Sequence, residues 1–321
     1  MRRRSLVLLL LLALPVAPRA ETVTRDVRLI VPYTPGGTVD LLARLLADAI
    51  GPRLGGRSIV VENRSGAGTF IAMQTVANAP PDGHVLGIAS TAVLANAPVL
   101  PGMAMPIDPD RALLPVTNLI RVPMLLVGRP DAPYGTLPAL IDWARAHPGR
   151  LNIGQSGLGS QTHLLAARLA HEAGFTAELV QYRGGTPALM DIMAGNSDLY
   201  FSLLPESLPF IREGKLRPIA FASETRSPAL PEVPLVREVL PGFTGDVGYG
   251  LVAAAGTPPG WISFWNAEVK RAMESPAMKT RMAQLFWIPL PGSPEAYAAE
   301  IAGDRQVWGG VIRTAGIRVG Q

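Results

Sequence analysis

Residues 27–40 read VRLIVPYTPGGTVD, and the predicted fold class follows from the pattern in this stretch. Its first part is an apolar run rich in β-branched residues, which is typical of a buried strand. Pro35, Gly36 and Gly37 predict a turn, and apolar residues then recur at helical spacing as far as Gly51. The stretch therefore predicts a strand that passes through a glycine-rich loop into a helix.

The same alternation of strand and helix continues along the chain. Short apolar runs, each predicted to be a strand, begin near residues 58, 85, 124, 151, 178, 198, 216 and 249. Helical segments between them predict an α/β fold with parallel sheets covered by helices. We place one lobe at residues 22–121 plus 245–321 and a second at residues 122–244. Two crossings between lobes suit hinge closure over a cleft, although a tandem of two continuous domains is the alternative.

Residues 1–20 have the layout of a secretory signal peptide: a basic cluster, a short apolar run, then prolines and small residues. The run is too short to anchor the chain across a bilayer, and a buried N-terminal helix is the alternative. We therefore expect a cleaved, periplasmic protein. The 321 residues include no cysteine, which excludes disulfides, thiolate metal sites and a lipid anchor on cysteine.

The charge of the chain changes once the signal peptide is removed. The formal net charge is +4, and residues 1–20 hold four arginines and no acidic residue. The predicted mature chain is therefore close to neutral. A nucleic-acid-binding surface is not implied, and attraction of an anion cannot come from overall charge.

A second polar loop, residues 154–163, reads GQSGLGSQTH and again leads from a predicted strand into a predicted helix. Helix N-termini attract anions, and glycines let the backbone approach a ligand closely. The loop matches neither the dinucleotide fingerprint nor the nucleophile elbow. Together with residues 33–40, it predicts an anion site. For the first loop, an ordinary turn with Thr38 as N-cap is the alternative.

Nine blocks of sequence resemble, in order, the Bug (TctC) family of tripartite tricarboxylate transporter receptors. They cover nearly all of the predicted mature chain: residues 31–44, 61–68, 76–84, 156–163, 182–184, 195–198, 214–217, 226–234 and 255–259. The resemblance implies a type II periplasmic-binding-protein-like fold, with two doubly wound lobes around a ligand cleft.

The resemblance also implies which residues hold the ligand, a small organic carboxylate. From the first lobe they are Tyr33, Thr34, Pro35, Gly36, Gly37 and Asp40; from the second they are Ser156, Gly157, Ser160, Gln161, His163 and Tyr182. Asp40 either orients its loop or meets an ammonium group, and Phe70 is expected to pack in the core. A di- or tricarboxylate, an aromatic acid or an acidic amino acid fits the family. No cofactor, metal or catalytic residue is expected.

The function implied is that of a monomeric receptor that delivers its ligand to the permease subunits of a membrane transporter. A sensor that presents its closed form to a signalling partner is one alternative. A hydrolase with Ser160 as nucleophile and His163 as base is another. It is disfavoured because both residues share one short helical turn and no orienting acid is evident.

Overall fold

The computed structural model describes residues 21–319, so the predicted signal peptide lies outside the described residues. The strands are β1 (Val27–Val31), β2 (Ile59–Asn63), β3 (Val85–Ser90), β4 (Leu113–Val122), β5 (Met124–Gly128), β6 (Leu151–Gln155), β7 (Ala177–Gln181), β8 (Leu199–Leu203), β9 (Arg217–Phe221), β10 (Val247–Ala254) and β11 (Ile288–Pro289). The α-helices are α1 (Thr38–Ile50), α2 (Phe70–Ala77), α3 (Pro109–Ala112), α4 (Leu137–Ala146), α5 (Gln161–Ala173), α6 (Gly185–Met193), α7 (Leu204–Arg212), α8 (Pro259–Glu274), α9 (Pro276–Gln284) and α10 (Pro294–Ala315).

The strands form two sheets. One has the order β11-β4-β10-β3-β1-β2, and the other has the order β7-β6-β8-β5-β9. We call the part of the chain around the six-stranded sheet lobe 1 and the part around the five-stranded sheet lobe 2. The chain crosses between them at Pro123, and again between Phe221 and Val247. These crossings lie near the predicted lobe boundaries, which stay a prediction.

The predicted parallel pairing was wrong for the strands beside the crossings. β10 runs antiparallel to β3 and β4, and β5 runs antiparallel to β8 and β9. The parallel strands of each lobe are joined by helices that return the chain to the same edge of the sheet. β5 and β10 enter their sheets directly from the other lobe, so no helix reverses their direction.

β4 has no counterpart among the predicted strands because its sequence, LLPVTNLIRV, contains a proline and an asparagine. Its pairing with β10 shifts register between Thr117 and Pro115, and again between Ile120 and Asn118. An irregularity of this kind tolerates a residue that lacks a backbone N–H donor in the interior of a sheet. The fully buried Val116 and Leu119 still contribute to the core.

The apolar face of α1 is buried as its spacing predicts. Val39, Leu42, Ala43, Leu46 and Ile50 are each no more than 2% exposed. Burying a leucine or isoleucine side chain contributes about 1.5–3 kcal/mol relative to leaving it in water. This packing holds the start of α1, and the loop before it, at a fixed position at the end of β1.

The C-terminal helix α10 contacts both lobes, because it packs on β4 of lobe 1 and on α5 of lobe 2. The guanidinium group of Arg168 in α5 lies 5.9 Å from the ring centroid of Trp308 in α10. Arg168 also donates hydrogen bonds to the carbonyl oxygens of Gly242 and Thr244, in the segment that returns to lobe 1. Among the described residues, no helix is long and apolar enough to cross a membrane.

Candidate ligand-binding cleft

The loop between β1 and α1 presents backbone donors without a side-chain cap. Gly37, and not Thr38, is the N-cap of the 13-residue helix α1, and no side chain accepts from its first turn. Gly36 has φ of +87°, a conformation that favours glycine. Thr34, Pro35 and Gly36 are exposed. The positive end of α1 is therefore open to an anionic group.

Asp40 holds this loop in place. Its Oδ2 atom accepts from the backbone N–H of Gly36 at 3.0 Å and from Nε of Arg44 at 2.9 Å. Its Oδ1 atom accepts from Arg44 at 3.0 Å and from Nδ2 of Asn63 at 3.0 Å. Burial alone would raise the pKa of Asp40, but these hydrogen bonds bring it below its usual value. Of the two roles left open by the sequence, orientation of the loop is the one that the contacts support.

The loop between β6 and α5 is organised by hydroxyl groups. Ser160 is the N-cap of α5, and its Oγ atom accepts from the backbone N–H of His163. The same hydroxyl donates to the carbonyl oxygen of Gly157 at 2.6 Å. Thr162 Oγ1 lies 3.0 Å from Ser156 Oγ and 2.9 Å from Ser160 Oγ. These bonds fix the loop and place its hydroxyl groups at the carboxyl end of β6.

The imidazole ring of His163 is hydrogen-bonded to the backbone of this loop. It is 3% exposed, and its Nδ1 atom accepts from the backbone N–H of Gly159 at 3.1 Å. The ring nitrogen nearest the loop is thus occupied, and the proton of Ser160 points to a carbonyl oxygen, so the two side chains are not arranged as base and nucleophile. Desolvation by burial lowers the pKa of His163 to about 4.

This lowered pKa makes the free energy of unfolding depend on pH. The folded state keeps His163 neutral between about pH 6.5 and pH 4, whereas the unfolded chain binds a proton there. The contribution of His163 to the free energy of unfolding is therefore present above pH 6.5 and lost as the pH falls towards 4. We expect His163→Asn, which keeps an acceptor near the Nδ1 position, to flatten this part of the profile. Denaturant unfolding of both proteins from pH 4 to 8 measures it; equal slopes would contradict the assignment.

Asn96 of lobe 1 and Gln161 of lobe 2 form a hydrogen bond between the lobes. Nδ2 of Asn96, in the helical turn after β3, donates to Oε1 of Gln161 at 3.0 Å. Oδ1 of Asn96, Nε2 of Gln161 and Oε1 of Gln155 are buried and have no protein partner. Buried polar atoms in folded proteins are nearly always paired. We therefore regard these atoms as groups that a polar ligand or bound water can satisfy.

Three tyrosines that the sequence did not bring together lie in the same gap. Tyr33 and Tyr249 from lobe 1 pack edge to face, with ring centroids 6.3 Å apart. Their hydroxyl groups lie near Tyr200 and Glu206 of lobe 2. The hydroxyl of Tyr200 also faces Ser156 and Thr162 of the second loop. Tyr33, Tyr200 and Tyr249 therefore lie close enough to influence one another's pKa where the two lobes meet.

The three tyrosines and Glu206 differ in whether they change charge near neutral pH. Desolvation by burial raises the pKa of Tyr33, Tyr200 and Tyr249 above the usual value of 10, so all three remain neutral hydroxyl groups. Desolvation raises the pKa of Glu206 to about 7. The gap thus combines neutral donors with one carboxyl group that changes charge near neutral pH.

Tyr182 lies at the edge of this arrangement. It is half-buried, and its hydroxyl donates to Asp191 in α6. Nδ2 of Asn196 occupies the other carboxylate oxygen of Asp191 at 2.8 Å. The tyrosine ring lies close enough to Gly154 that a Cβ atom there would be 3.2 Å from Cε2. Its hydroxyl group is therefore already hydrogen-bonded to α6, so the aromatic ring is the part of Tyr182 that can contact a ligand.

Other features of the described residues lie apart from the cleft. A cavity of about 450 Å³ is lined by Arg168, His171 and Glu172 of α5 with parts of α10, at the opposite end of α5 from Ser160. Phe70 is 1% exposed and packs in the core of lobe 1. Within residues 21–319, no three His, Asp or Glu side chains are grouped in a way that could hold a metal ion.

Sequence reasoning missed Tyr200, Tyr249 and Glu206. Tyr200 and Tyr249 lie inside strands, where alternation of apolar and polar residues does not separate core from cleft. Glu206 was visible as an acidic residue just after a predicted strand, in the first turn of α7, which is a position that faces the ligand edge in sheets of this kind.

Comparison with known proteins bears on the family and the fold of this chain. Residues 42–317 match the family model described as "Tripartite tricarboxylate transporter family receptor". Protein BugT of Bordetella pertussis is 33% identical over 300 residues, which are 92% of this chain and 90% of BugT.

Two solved structures are similar over nearly their whole length. R. palustris Rpa4515 with adipate has a TM-score of 0.86 and 33% identity, covering 92% of this chain and 98% of that chain. MatC (Rpa3494) from Rhodopseudomonas palustris, with bound malate, has a TM-score of 0.82 and 31% identity, covering 90% and 99%. The predicted two-lobed, type II periplasmic-binding-protein-like fold is confirmed.

Proposed function

Because this chain belongs to the tripartite tricarboxylate transporter receptor family, we propose that it captures a small organic carboxylate between its lobes and delivers it to a membrane permease. The resemblance to the Bug proteins drawn from the sequence is thereby confirmed. The observation that carries the proposal is the pair of polar loops at the N-termini of α1 and α5, one in each lobe, with a hydrogen bond between the lobes from Asn96 to Gln161 at the start of α5. The solved relatives with adipate and malate support a carboxylate ligand.

The proposed binding uses neutral donors. The open first turn of α1 and the hydroxyl groups of Ser156 and Tyr33 can each donate to a carboxylate. A hydrogen bond to an ionised acceptor contributes about 1.5–3 kcal/mol, so three or four support micromolar affinity after the cost of ordering the ligand and the lobes.

Thermal unfolding of the mature protein with a panel of small molecules tests this proposal. A ligand that binds only the folded state and is present at about 100 times its Kd adds about 2.7 kcal/mol of stability. We expect at least one small carboxylate to raise the Tm by several degrees, and sugars and inorganic cations to leave it unchanged. Stabilisation by sugars or cations alone would refute a carboxylate receptor.

The proposal also includes delivery of the ligand to a permease. It further holds that the mature protein is exported to the periplasm as a monomer and does not catalyse a reaction. Uptake of a labelled ligand by cells that produce the permease, with and without this receptor, tests delivery. Loss of a transcriptional response without any loss of uptake would instead indicate a sensor. Turnover of a bound ester or amide that Ser160→Ala abolishes would indicate a hydrolase.

A further inference from the structure

Glu206 is an unusual group for a cleft that binds an anion. It follows β8 in the first turn of α7 and is half-buried. A Cβ atom on Gly185, at the start of α6, would lie 2.5 Å from Oε2 of Glu206 and 3.1 Å from the hydroxyl oxygen of Tyr200. Glycine at position 185 therefore lets the carboxyl group rest against the start of α6, beside the hydroxyl group of Tyr200.

No basic side chain offsets this carboxyl group among the residues that the structure describes. The carboxyl group of Glu206 takes part in none of the ion pairs or side-chain hydrogen bonds found within residues 21–319. Desolvation is the cause of its raised pKa, and no nearby cation opposes it. The titratable groups that face it are Tyr33 after β1, Tyr200 on β8 and Tyr249 on β10, and all three are neutral.

The residues where the lobes meet therefore include two unlike kinds of group. Backbone and hydroxyl donors at the starts of α1 and α5 suit a carboxylate. Glu206 is an acceptor that lacks a cation, and a second ligand carboxylate placed near it would add like charge in a desolvated site. A ligand cation at the same place would supply the missing partner and favour the ionised form of Glu206.

We propose that this receptor selects a small carboxylate that also carries a protonated amine, with the ammonium group paired to Glu206. The proposal rests on the carboxylate-receptor function given above and narrows its ligand class. It separates this chain from the relatives solved with adipate and malate, which are dicarboxylates.

A purely structural role for Glu206 is the competing explanation. An acidic residue in the first turn of a helix interacts favourably with the positive helix end. However, no backbone N–H of α6 or α7 donates to Glu206 among the hydrogen bonds of the described residues, although a carboxylate held at the start of either helix would accept one. The two explanations differ in ligand selectivity, which a structural role would not change.

Isothermal titration calorimetry on the mature protein at pH 8 distinguishes them. The probes are three pairs matched in length: succinate and 4-aminobutanoate, glutarate and 5-aminopentanoate, and adipate and 6-aminohexanoate. The standard L-α-amino acids test a closely spaced ammonium group. Each probe is measured with the wild type, with Glu206→Gln, and with Glu178→Gln as a matched control on an exposed part of β7.

We expect an amino-carboxylate to bind the wild type at least tenfold more tightly than the dicarboxylate closest to it in length. Glu206→Gln should reduce this preference at least tenfold, and Glu178→Gln should leave it unchanged. Lowering the pH to 6, where Glu206 is largely protonated, should shift the wild type in the same direction as the variant. Circular dichroism and Tm values check that both variants are folded.

Two results would overturn the proposal. In one, dicarboxylates bind more tightly than every amino-carboxylate at pH 8; in the other, Glu206→Gln leaves the preference unchanged. In either case binding of a dicarboxylate would leave the carboxylate-receptor function intact. Absence of binding by every carboxylate in the panel would refute both.

Discussion

Replacing Gly36 with valine is expected to lower the affinity of the cleft for its carboxylate ligand by about a hundredfold. Gly36 has φ of +87°, which a β-branched residue does not adopt without strain. The loop must shift, and its N–H group leaves Oδ2 of Asp40. Loss of one or two hydrogen bonds to a carboxylate costs about 3 kcal/mol, which corresponds to the hundredfold loss.

The fold should survive this change, since a Cβ atom on Gly36 meets no other atom within 4 Å. Gly55→Val is the matched control, because Gly55 has φ of +61° and equally open surroundings in a turn after α1. Both variants should lose a similar small amount of stability, but only Gly36→Val should lose affinity. Calorimetry with a ligand from the thermal panel measures this. Affinity within threefold of the wild type would remove the first loop from the site.

Replacing Gly250 with alanine is expected to lower the free energy of unfolding by about 3 kcal/mol. Gly250 lies within β10, and a Cβ atom there would be 2.1 Å from Cζ of Tyr297. Tyr297 is 1% exposed in the first turn of α10, so its ring cannot move aside without displacing the helix. The cost arises from overpacking at the contact between α10 and the central strands of lobe 1.

Gly303→Ala is the control for this prediction. Gly303 is exposed in the same helix, and a Cβ atom there meets nothing within 4 Å. Because alanine favours a helix over glycine, this change should raise the free energy of unfolding by up to about 1 kcal/mol. Denaturant unfolding followed by tryptophan fluorescence measures both variants. A loss below 1 kcal/mol in Gly250→Ala would indicate that α10 can shift away from β10.

Much of the local structure could be predicted because its causes lie within a few residues. The ends of α4 and α5 coincide with proline, glycine and hydroxyl-cap residues that are visible in the sequence. Both glycine-rich loops lie between a strand and a helix as predicted. β4 could not be predicted, because its proline is tolerated only through a bulge against β10, which lies far away in the sequence.

The roles of single site residues depended on partners that are distant in the chain. Asn63 lies 23 residues from Asp40, and its side-chain amide donates a hydrogen bond that helps to hold the Asp40 carboxylate beside the loop. Tyr33, Tyr200 and Tyr249 come from three strands in two sheets. Nothing in the spacing of these residues indicates that their hydroxyl groups share one gap with Glu206.

The α/β class and the two loops that start α1 and α5 could be read from the sequence, because turn residues, helix caps and apolar spacing act over short distances, and the resemblance of nine blocks indicated the family. Three features depended on the three-dimensional arrangement: Asp40 and His163 hydrogen-bond to the backbone of those loops, β5 and β10 run antiparallel to their neighbours, and Glu206 lies beside Tyr200 at the start of α6. The reason is that the chain crosses twice between the lobes. Which side chains meet in the cleft is fixed by how two separately wound sheets are placed against each other, and no local preference encodes that placement.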